Sequence, residues 1–440
     1  MRVMETPVEF VQWLRSVAPY IHAFRGKTFV VAFPGELVMA GALPVLAQDL
    51  SLLHALGIKV VIVHGSRPQV AEQLALRNVD ARFHENGLRI TDGAALECAK
   101  EAAGELRLDI EAAFSQGLPN TPMAHAAIRI ISGNFVTARP IGVIDGIDLE
   151  LTGVARKVAY ETIHPIMDAG GLVLLSPLGF SPTGEIFNLT IEDVAVAAAI
   201  ALRADKLIFI SETEMMTDQS GEDIRELSAH QAEAVLGAGF LPADSAFYLQ
   251  HAIKACNGGV ARAHIVPFAL DGSALLELFT HDGVGTMISY QNLETLREAT
   301  IEDVGGILKL IEPLEADGTL VYRGRELIER EIDYFSVIEH DGVIFGCAAL
   351  YPFPAEKMAE MACLTVNPEV QAQGDGERIL KHMENRARAE GFKKLFVLTT
   401  RTAHWFLKRG FVPATVELLP KDRQHMYNWQ RKSVVLIKHL

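Results

Sequence analysis

The sequence has few cysteines and no long apolar run. Its four cysteines, Cys98, Cys256, Cys347 and Cys363, form no Cys-x-x-Cys pair, so neither a disulfide framework nor a zinc site is predicted. No segment approaches the roughly 18 nearly uncharged apolar residues that a membrane-spanning helix needs. Residues 1–21 have the pattern of an amphipathic helix and not of a signal peptide. We therefore expect a cytoplasmic protein with no metal and no membrane partner.

Positive charge is scarce over the chain as a whole. There are 40 Lys and Arg residues against 55 Asp and Glu residues, a net charge of -15, which argues against nucleic acid as a partner. The balance is uneven, because residues 371–440 contain 14 basic and 6 acidic side chains, a net charge of +8 against -23 for residues 1–370. This basic segment is either solvated surface or a site for a small polyanion.

A chain of 440 residues is long enough for two or three domains of about 100–200 residues each. In the first half, strand-like apolar runs alternate with helical patterns, which indicates a mainly parallel sheet covered by helices on both faces. These runs are residues 28–33, 59–65, 126–132, 171–177, 206–211 and 261–267. Alternating strands and an Asp341-Gly342 hairpin signal follow. We predict an α/β fold with domains at 1–288 and 297–440 and a linker at 289–296.

A glycine-containing loop lies between a strand and a helix in the second domain. The strand-like run ends near Val366, and Gly374 and Gly376 precede an amphipathic helix that contains Arg378. The free amides at a helix N-terminus and the helix dipole suit a phosphate group. A two-glycine loop alone is more often a plain turn, so the pattern by itself leaves both interpretations open.

The pattern Val366-x-Pro368-x-x-Gln371-x-x-Gly374-x-Gly376 resembles the acetyl-CoA loop of GNAT-type acetyltransferases. Residues 395–400 and 403–411 resemble the next strand and helix of that family. The resemblance covers about residues 297–440 and implies a GNAT-type domain with acetyl-CoA as cosubstrate. It places coenzyme binding at Cys363, Leu364, Thr365, Val366, Gln371, Gln373, Gly374, Asp375, Gly376, Glu377 and Arg378.

Acyl transfer from a thioester to an amine needs a base, a donor for the oxyanion and a proton for the thiolate. Glu360 is our predicted base, directly or through water, and the amides of Cys363 and Leu364 are the predicted oxyanion donors. The Cys363 side chain itself is expected to be buried and inert. The resemblance favours Thr399 over Thr400 as the proton donor. On spacing alone, Glu360 reads equally as a solvated acid, and the threonines read as strand formers.

Substrate recognition requires residues outside the coenzyme loop. Arg323 and Arg431, with Ser433 beside the latter, are candidates because a guanidinium group binds a carboxylate through two parallel hydrogen bonds. Two such groups would match the two carboxylates of a dicarboxylic amino acid. The alternative is that these arginines lie on the surface and bind nothing.

The first half resembles the amino-acid kinase family over about residues 20–288, with matching text at residues 60–70, 87–97, 131–153, 187–199 and 277–288. Kinases of this family carry Lys-x-Gly-Gly after the first strand, and residues 32–35 here read Ala-Phe-Pro-Gly. Phosphoryl transfer needs that positive charge, so we predict a three-layer kinase-like fold without kinase activity. Arg89 and Asp193 persist at kinase-like positions, which leaves a bifunctional synthase and kinase as the alternative.

A kinase-like domain followed by a GNAT-type domain resembles the bacterial N-acetylglutamate synthase family. The resemblance implies transfer of acetyl from acetyl-CoA to L-glutamate, the first step of arginine biosynthesis, with feedback regulation by L-arginine and a hexamer. It places arginine at Tyr20, Lys206, His264, Glu277 and Gly283. Glu277 suits a guanidinium partner, whereas His264 equally fits a buried core histidine. A third reading is a non-catalytic arginine sensor that retains the acetyltransferase fold as a scaffold.

Overall fold

The structure, a computed structural model, describes residues 7–117, 121, 123–280, 283–290, 295–340, 343–367 and 375–440. The chain divides into two units, Met1–Asn292 and Leu293–Leu440. At the predicted linker, Ser289 is the last residue of one strand and Thr295 is the first of the next. The linker itself therefore has strand at both of its ends, and the predicted domain boundaries stay predictions.

The N-terminal unit contains helices and strands in alternation. Its helices are α1 (Pro7–Phe24), α2 (Gly35–Met39), α3 (Leu43–Ala55), α4 (Arg67–Leu76), α5 (Gly93–Phe114), α6 (Tyr160–Asp168), α7 (Ile191–Ala201), α8 (Ala229–Gly237), α9 (Ala243–Asn257) and α10 (Ser273–Phe279). Its strands are β1 (Thr28–Phe33), β2 (Lys59–His64), β3 (Ile130–Ser132), β4 (Val136–Pro140), β5 (Val143–Ile144), β6 (Ile147–Asp148), β7 (Gly153–Val158), β8 (Leu172–Leu175), β9 (Leu178–Phe180), β10 (Ile186–Asn188), β11 (Lys206–Ser211), β12 (Glu226–Ser228), β13 (Arg262–Pro267) and β14 (Thr286–Ser289).

The main sheet of this unit has the order β12-β14-β13-β11-β1-β2-β8-β3 in the described part of the chain. Only its β13–β14 pair is antiparallel, so the prediction of a mainly parallel sheet is confirmed. Strand β1 shows why the apolar run is continuous. Val30 and Ala32 pack into one core with α7 and α9, whereas Phe29, Val31 and Phe33 pack into the opposite core with α3, α5 and α10. Both faces are covered, so both sets of side chains must be apolar.

A second, smaller sheet with the order β10-β9-β4-β7 packs beside the main one. Apolar periodicity does not indicate it, because its strands are short and carry polar residues. Two glycines permit its close packing. A Cβ on Gly179 would lie 2.4 Å from the Cβ of Ala138, and a Cβ on Gly153 would lie 2.6 Å from the Cβ of Phe187. This sheet therefore depends on glycine at points where strands and side chains meet closely.

Several helices of the N-terminal unit start at side chains that accept a main-chain N–H. Asp92 caps α5, Thr190 caps α7, and Ser228 caps α8 in a reciprocal capping box with Gln231. Each such cap contributes about 1 kcal/mol. The apolar run at residues 193–202 lies mostly in α7, which is largely buried, as predicted. Across the described ranges, no helix is long and apolar enough to cross a membrane.

The C-terminal unit is built around one sheet with the order β15-β16-β17-β18-β19-β21-β20 in the described residues. Its strands are β15 (Thr295–Glu298), β16 (Phe335–His340), β17 (Val343–Phe353), β18 (Met358–Val366), β19 (Lys394–Thr399), β20 (Val412–Ala414) and β21 (Val434–His439). Its helices are α11 (Val304–Ala316), α12 (Arg325–Arg330), α13 (Asp375–Ala389), α14 (Ala403–Leu407) and α15 (Lys421–His425), with 3₁₀ turns at Ile301–Asp303, Ile332–Tyr334, Pro354–Glu356 and Val416–Leu418.

Helices cover both faces of this sheet. Ala348 and Leu350 of β17 pack in the core with α13, and Cys347 and Ala349 pack in the core with α11 and α12. The apolar face predicted for α13 is confirmed, because its four members are fully or almost fully buried: Ile379, Leu380, Met383 and Ala387. A Cβ on Gly346 would lie 2.8 Å from Cδ1 of Ile379. Glycine at that position therefore lets α13 lie close against the sheet.

Candidate active site

Strands β18 and β19 run together at their start and then separate. They pair in parallel only at Met358↔Lys394, Ala359↔Leu395 and Glu360↔Phe396. Beyond Glu360 a cavity of about 470 Å³ lies between them. Its lining includes Leu314, Thr319, Leu320, Met361, Ala362, Cys363, Leu364, Val366, Asp375, Gly376, Glu377, Val397, Leu398, Thr399, Thr402, Trp405, Phe406 and Arg409. The separation of the two strands thus creates a cleft that opens onto the main chain of β18.

A bulge in β18 faces this cleft. Opposite β17, the pairing shifts between Thr365 and Ala362, and Cys363 has a φ of 56°. Such a left-handed conformation costs an L-residue about 1–3 kcal/mol and is common at functional sites. The bulge re-aims the main chain of Cys363 and Leu364, the pair predicted to donate to the oxyanion. The Cys363 side chain is buried, as predicted, and burial raises the pKa of its thiol to about 11, so it is a poor nucleophile.

Glu360 stands at the point where the strands separate and is only 6% exposed. Its Oε2 accepts a hydrogen bond of 2.6 Å from Nε of Arg423, and its Oε1 accepts one of 3.0 Å from Nη2 of the same guanidinium. The predicted base is therefore part of a bidentate ion pair. The alternative interpretation, a solvated strand-end acid, does not fit this burial. Arg423 lies 63 residues away in sequence, and no local pattern indicates that it contacts Glu360.

Thr399, the predicted proton donor, ends β19 on the other side of the cleft. Its Oγ1 lies 2.8 Å from Oγ1 of Thr402 and accepts a 3.0 Å hydrogen bond from the Thr402 N–H. Thr399 and Thr402 line the cavity, whereas Thr400 is not among the described residues that do. The two hydroxyls form a short chain that begins at the cavity and ends at Thr402, which is exposed. This geometry supports the choice of Thr399 over Thr400.

The residues predicted to bind the coenzyme are partly gathered at the cavity. Cys363, Leu364, Val366, Asp375, Gly376 and Glu377 line it. Thr365 and Arg378 do not appear among its described lining residues, and Arg378 lies 3.2 Å from Asp375 through its guanidinium. Gln371, Gln373 and Gly374 lie outside the described residues, as do Pro368 and the Asp341-Gly342 pair. The helix N-terminus of α13 therefore borders the cavity, as the loop pattern predicts.

Arg409 and Trp405 are lining residues that the sequence analysis does not identify. The Arg409 guanidinium carbon lies 3.9 Å from the Trp405 ring centroid, and Nη2 donates a 3.3 Å hydrogen bond to Glu377. Its Nε is buried and has no hydrogen-bond partner among the described residues. A Cβ on Gly376 would lie 3.3 Å from the Trp405 ring. A cationic side chain therefore stands beside the N-terminus of α13. In the sequence it contributes only to the basic balance of the last 70 residues.

The two arginines predicted to bind the substrate lie near the same cavity. Nη1 of Arg323 donates a 3.1 Å hydrogen bond to the Val321 carbonyl, and Nη2 of Arg431 donates to the carbonyl of Thr319, a cavity residue. Burial and the charge of Arg323 lower the pKa of Arg431. The two guanidinium groups thus act on each other. Ser433 is near by sequence, and its carbonyl accepts a 2.6 Å hydrogen bond from the Tyr427 hydroxyl.

The pKa of Arg323 links this group of side chains to the cleft. Burial lowers that pKa, but the Cys363 thiol and the Tyr351 hydroxyl raise it more, and Glu360 adds to the rise. Arg323 therefore stays charged. Glu360, Cys363, Arg323 and Arg431 form one electrostatic neighbourhood, which combines a carboxylate with guanidinium groups near a cleft.

A second set of predicted residues comes together in the N-terminal unit. Nδ1 of His264 lies 2.7 Å from Oε1 of Glu277, and its Nε2 lies 3.4 Å from Nζ of Lys206. Oε2 of Glu277 accepts hydrogen bonds of 2.8 and 2.9 Å from the N–H groups of Val284 and Gly285. All three side chains are buried. The partners imply a neutral imidazole that donates to Glu277 and accepts from Lys206.

The pKa directions in this cluster agree with that assignment. Burial, reinforced by Lys206, lowers the pKa of His264. Burial alone would raise the pKa of Glu277, but the hydrogen bonds from His264 and from the two amides lower it. Glu277 is therefore a buried carboxylate held in its charged form.

The other two predicted members complete the cluster. Gly283 has a φ of 60°, and a Cβ there would lie 2.4 Å from Oε2 of Glu277. The Tyr20 ring lies 6.1 Å from that of Phe24, and Phe24 in turn lies 4.9 Å from Nζ of Lys206. Glycine is thus needed beside Glu277 on two grounds, φ and space. Lys206, His264, Glu277 and Gly283 therefore lie together, and Tyr20 is linked to them through Phe24.

The kinase-like positions present carboxylates where a kinase needs cations. Burial raises the pKa of Glu192 to about 7. Burial, reinforced by Glu212, also raises the pKa of Glu36, which follows the Ala32–Gly35 segment. Residues 32–35 carry no cationic side chain, and the raised pKa values favour the protonated form of these two carboxyl groups, so the positive charge that phosphoryl transfer needs is missing there. Among the described residues, no group of three or more His, Cys, Asp or Glu side chains is placed to hold a metal ion. The arrangement disfavours phosphoryl transfer.

Of the two persisting kinase-like residues, Asp193 pairs with Lys254 at 2.8 Å. Arg89 is 9% exposed and stacks on the Phe83 ring at 4.8 Å, and its buried Nη1 has no hydrogen-bond partner within the described part of the chain. These two side chains are the remaining support for the kinase alternative.

Comparison with known proteins covers the whole chain. The profile of the amino acid kinase family matches residues 27–267, and that of the acetyltransferase (GNAT) family matches residues 307–411. An amino-acid acetyltransferase from Ralstonia nicotianae is 65% identical over 432 residues, which is 98% of this chain and 96% of that protein. The amino-acid acetyltransferase of Pseudomonas fluorescens strain Pf0-1 is 50% identical over 435 residues, 98% of this chain and 100% of that protein.

Solved structures give the same result. N-acetylglutamate synthase from Neisseria gonorrhoeae, complexed with coenzyme A and L-arginine, matches with a TM-score of 0.88 at 38% identity over 98% of this chain and 99% of that chain. The same synthase complexed with coenzyme A and N-acetyl-glutamate matches with a TM-score of 0.63 at the same identity and coverage. The similarity therefore extends through both units and is not confined to either one.

Proposed function

This chain belongs to the amino-acid acetyltransferases, and from that premise we propose that it transfers the acetyl group of acetyl-CoA to the amine of L-glutamate. The products are N-acetyl-L-glutamate and CoA, in the first step of arginine biosynthesis. The observation that carries the proposal is the cleft between β18 and β19. Glu360 stands at its start and Thr399 on its far strand. Arg323 and Arg431 supply the positive charge that a dicarboxylate substrate requires.

The cleft suits direct attack of the substrate amine on the thioester, without an acetyl-enzyme intermediate. Glu360 takes a proton from the substrate ammonium, and the amine nitrogen then attacks the thioester carbonyl carbon. The main chain at Cys363 and Leu364 stabilises the developing oxyanion. The C–S bond breaks, the thiolate takes the Thr399 proton, and Thr399 regains one through Thr402. Amide formation releases one net proton to solvent, because the ammonium loses two and the thiolate gains one.

The coenzyme would lie along the cleft with its diphosphate at the N-terminus of α13. Asp375 and Gly376 line the cavity at that end, and the first-turn amides of a 15-residue helix supply orphan donors. Arg409 adds a cation there, and its buried Nε gains a partner if a phosphate oxygen approaches. The basic segment 371–440 thus contains a site for a small polyanion.

The reaction is tested by following thiol release from acetyl-CoA in the presence and absence of L-glutamate. We expect glutamate-dependent release of CoA, matched mole for mole by N-acetylglutamate in the same sample. Absence of glutamate-dependent release, with acetyl-CoA binding intact, would refute the proposal and leave the non-catalytic arginine sensor as the better reading.

Arginine is proposed as a feedback inhibitor that binds at Lys206, His264 and Glu277. A buried carboxylate held in its charged form suits a guanidinium group. Inhibition requires that arginine bind two arrangements of the protein with different affinity.

The proposal of a hexamer is based on α1, whose exposed apolar side chains include Phe10 (47%), Trp13 (49%) and Leu14 (45%). A face of this kind commonly marks an interface between protein chains.

Arg431→Ala is expected to raise the KM for glutamate by about 10- to 100-fold, because a charge-assisted hydrogen bond contributes about 1.5–3 kcal/mol. The KM for acetyl-CoA should change little, since the cavity and the α13 N-terminus stay intact. Steady-state kinetics with each substrate varied in turn measures both constants. Arg325→Ala is the control, because Arg325 is 70% exposed and pairs only with Glu329 in the described contacts. An unchanged KM for glutamate in Arg431→Ala would place the carboxylate clamp elsewhere.

The kinase alternative is tested separately. ATP-dependent phosphorylation of N-acetylglutamate would establish a bifunctional enzyme, and Arg89 and Asp193 are its support. The absence of a lysine from residues 32–35 opposes it, and we expect no phosphorylation.

A further inference from the structure

The Glu360–Arg423 pair has an arrangement that the proposed reaction does not by itself require. Nε and Nη2 of Arg423 hold both carboxylate oxygens of Glu360, at 2.6 and 3.0 Å. The two side chains are 8% and 21% exposed, respectively. Arg423 lies in α15, and its Nη1 donates a further 3.3 Å hydrogen bond to the Met426 carbonyl. The guanidinium is therefore anchored by one nitrogen and offers the other two to a carboxylate.

A carboxylate in this arrangement is a poor base. A guanidinium that donates to both oxygens occupies the lone pair that faces it on each oxygen and fixes the direction of the carboxylate. General-base catalysis requires a carboxylate oxygen within hydrogen-bond reach of the proton that it removes. The arrangement seen here is therefore competent to hold Glu360 in place but not to deprotonate an ammonium group.

Arg423 differs from the other two arginines near the cleft. Among the described contacts, the Arg323 guanidinium donates to the Val321 carbonyl and that of Arg431 to the Thr319 carbonyl. Arg423 instead has a carboxylate partner, and another carboxylate can replace it with the same two-bond geometry. A carboxylate of the substrate could thus displace Glu360 from the Arg423 guanidinium, whereas an amine without a carboxylate could not.

We propose that Arg423 is a specificity-determining residue that keeps Glu360 inactive until a substrate carboxylate takes its place on the guanidinium. This inference rests on the proposed function of Glu360 as the base. On exchange, Nε and Nη2 of Arg423 bond to the substrate carboxylate, and the Glu360 oxygens are released. One of them then accepts a proton from the substrate ammonium and passes it to solvent. No covalent bond other than N–H and O–H changes in this step.

Two properties follow from this arrangement. An amine without a carboxylate leaves Arg423 on Glu360 and meets no base, so it is acetylated slowly even if it enters the cleft. Water in the cleft is likewise not activated while glutamate is absent, so acetyl-CoA is protected from hydrolysis. A purely structural ion pair would predict neither property.

The test compares wild type, Arg423→Met and Arg423→Lys, with Arg325→Met as the control at an exposed arginine. Three rates are measured: acetylation of L-glutamate, acetylation of n-butylamine, and hydrolysis of acetyl-CoA with no amine. We expect Arg423→Met to lose at least about 100-fold in kcat/KM for glutamate while hydrolysis rises about tenfold or more, in line with the usual size of general-base effects. The ratio of kcat/KM for glutamate to kcat/KM for n-butylamine should decrease by a larger factor than either kcat/KM value does.

Rescue by the conservative variant gives a readout that a structural role would not move, because a structural ion pair does not affect the discrimination between glutamate and n-butylamine. Arg423→Lys keeps the charge but not the two-bond geometry, and we expect partial discrimination. Wild-type discrimination in Arg423→Lys, or unchanged hydrolysis in an Arg423→Met that binds acetyl-CoA normally, would overturn the proposal. Failure of wild type to acetylate glutamate would instead refute the proposed function.

Discussion

Glu360→Gln is expected to lower kcat by about 10²- to 10⁴-fold, the usual contribution of a positioned general base. Glutamine retains the size of the side chain and one oxygen that can accept from Arg423, but it cannot take a proton from the substrate ammonium. Glu360 is buried at the point where β18 and β19 separate, and glutamine fills the same space. The loss should therefore appear in the rate of acetyl transfer and not in the assembly of the site.

Two measurements separate catalysis from binding in this variant. The dissociation constant for acetyl-CoA, measured by calorimetry, should stay close to the wild-type value, because the cavity and the α13 N-terminus do not involve Glu360. The control is Glu326→Gln, which replaces an exposed carboxylate in the same unit and should keep full activity. A Glu360→Gln enzyme with an unchanged rate would remove Glu360 from the mechanism. Thermal unfolding of each variant checks that any loss is not a loss of fold.

The parts of the fold that sequence predicts well are those set by local periodicity. The continuous apolar run of β1 predicts a strand buried on both faces, and its residues do alternate between two cores. The apolar face of α13 predicts a helix against a sheet, and its four members are buried. Both predictions need only neighbouring residues along one element.

The second sheet of the N-terminal unit shows where periodicity fails. Its strands β4, β9 and β10 are three to five residues long, and only β4 of these three alternates apolar and polar side chains, over Val136–Arg139. Its stability depends on contacts between distant segments, such as Gly179 against Ala138. A glycine in a short polar segment reads as a turn in sequence, although here it permits close packing of strands.

The candidate site divides in the same way. The loop before α13 and the end of β19 were predictable because each is a local pattern with a family resemblance. Arg423 was not, because its partner Glu360 lies on a different element 63 residues away. Both residues are ordinary charged positions in sequence. Only the fold brings α15 to the start of the cleft.

The basic side chains of residues 371–440 are also of two kinds. Arg388 and Lys438 both pair with Glu384, which makes them structural. Arg409 instead lines the cleft, and Arg423 contacts Glu360, the predicted general base. Net charge therefore pointed to the correct segment, but it could not separate surface ion pairs from residues that face a ligand.

The electrostatics of the N-terminal unit favour a cationic ligand over a nucleotide. Carboxylates with raised pKa values, Glu192 and Glu36, flank the position of the missing lysine. Glu277, whose pKa is lowered, is charged in a pocket of main-chain amides. A kinase-like domain can thus keep its sheet and helices while its first strand lacks the cation and Glu277, at a different place, stays ionised. This difference separates the proposed arginine site from the lost kinase site.

Glu277→Gln is expected to weaken arginine inhibition by about 10²- to 10³-fold, because loss of one partner of a buried charge pair costs about 3–5 kcal/mol and each 1.4 kcal/mol is a factor of ten. The substitution also breaks the Lys206–His264–Glu277 chain of hydrogen bonds. Acetyl transfer without arginine should be unchanged, since the cleft lies in the other unit.

The measurement is the arginine concentration that halves the rate of acetyl transfer, with arginine affinity measured independently by calorimetry. Glu105→Gln is the matched control, because Glu105 is an exposed carboxylate on α5 of the same unit. A Glu277→Gln enzyme that is still inhibited at the wild-type arginine concentration would place the effector elsewhere. Because Gln keeps the shape of Glu277 but not its charge, a selective loss of inhibition would identify the buried carboxylate as the group that binds the guanidinium.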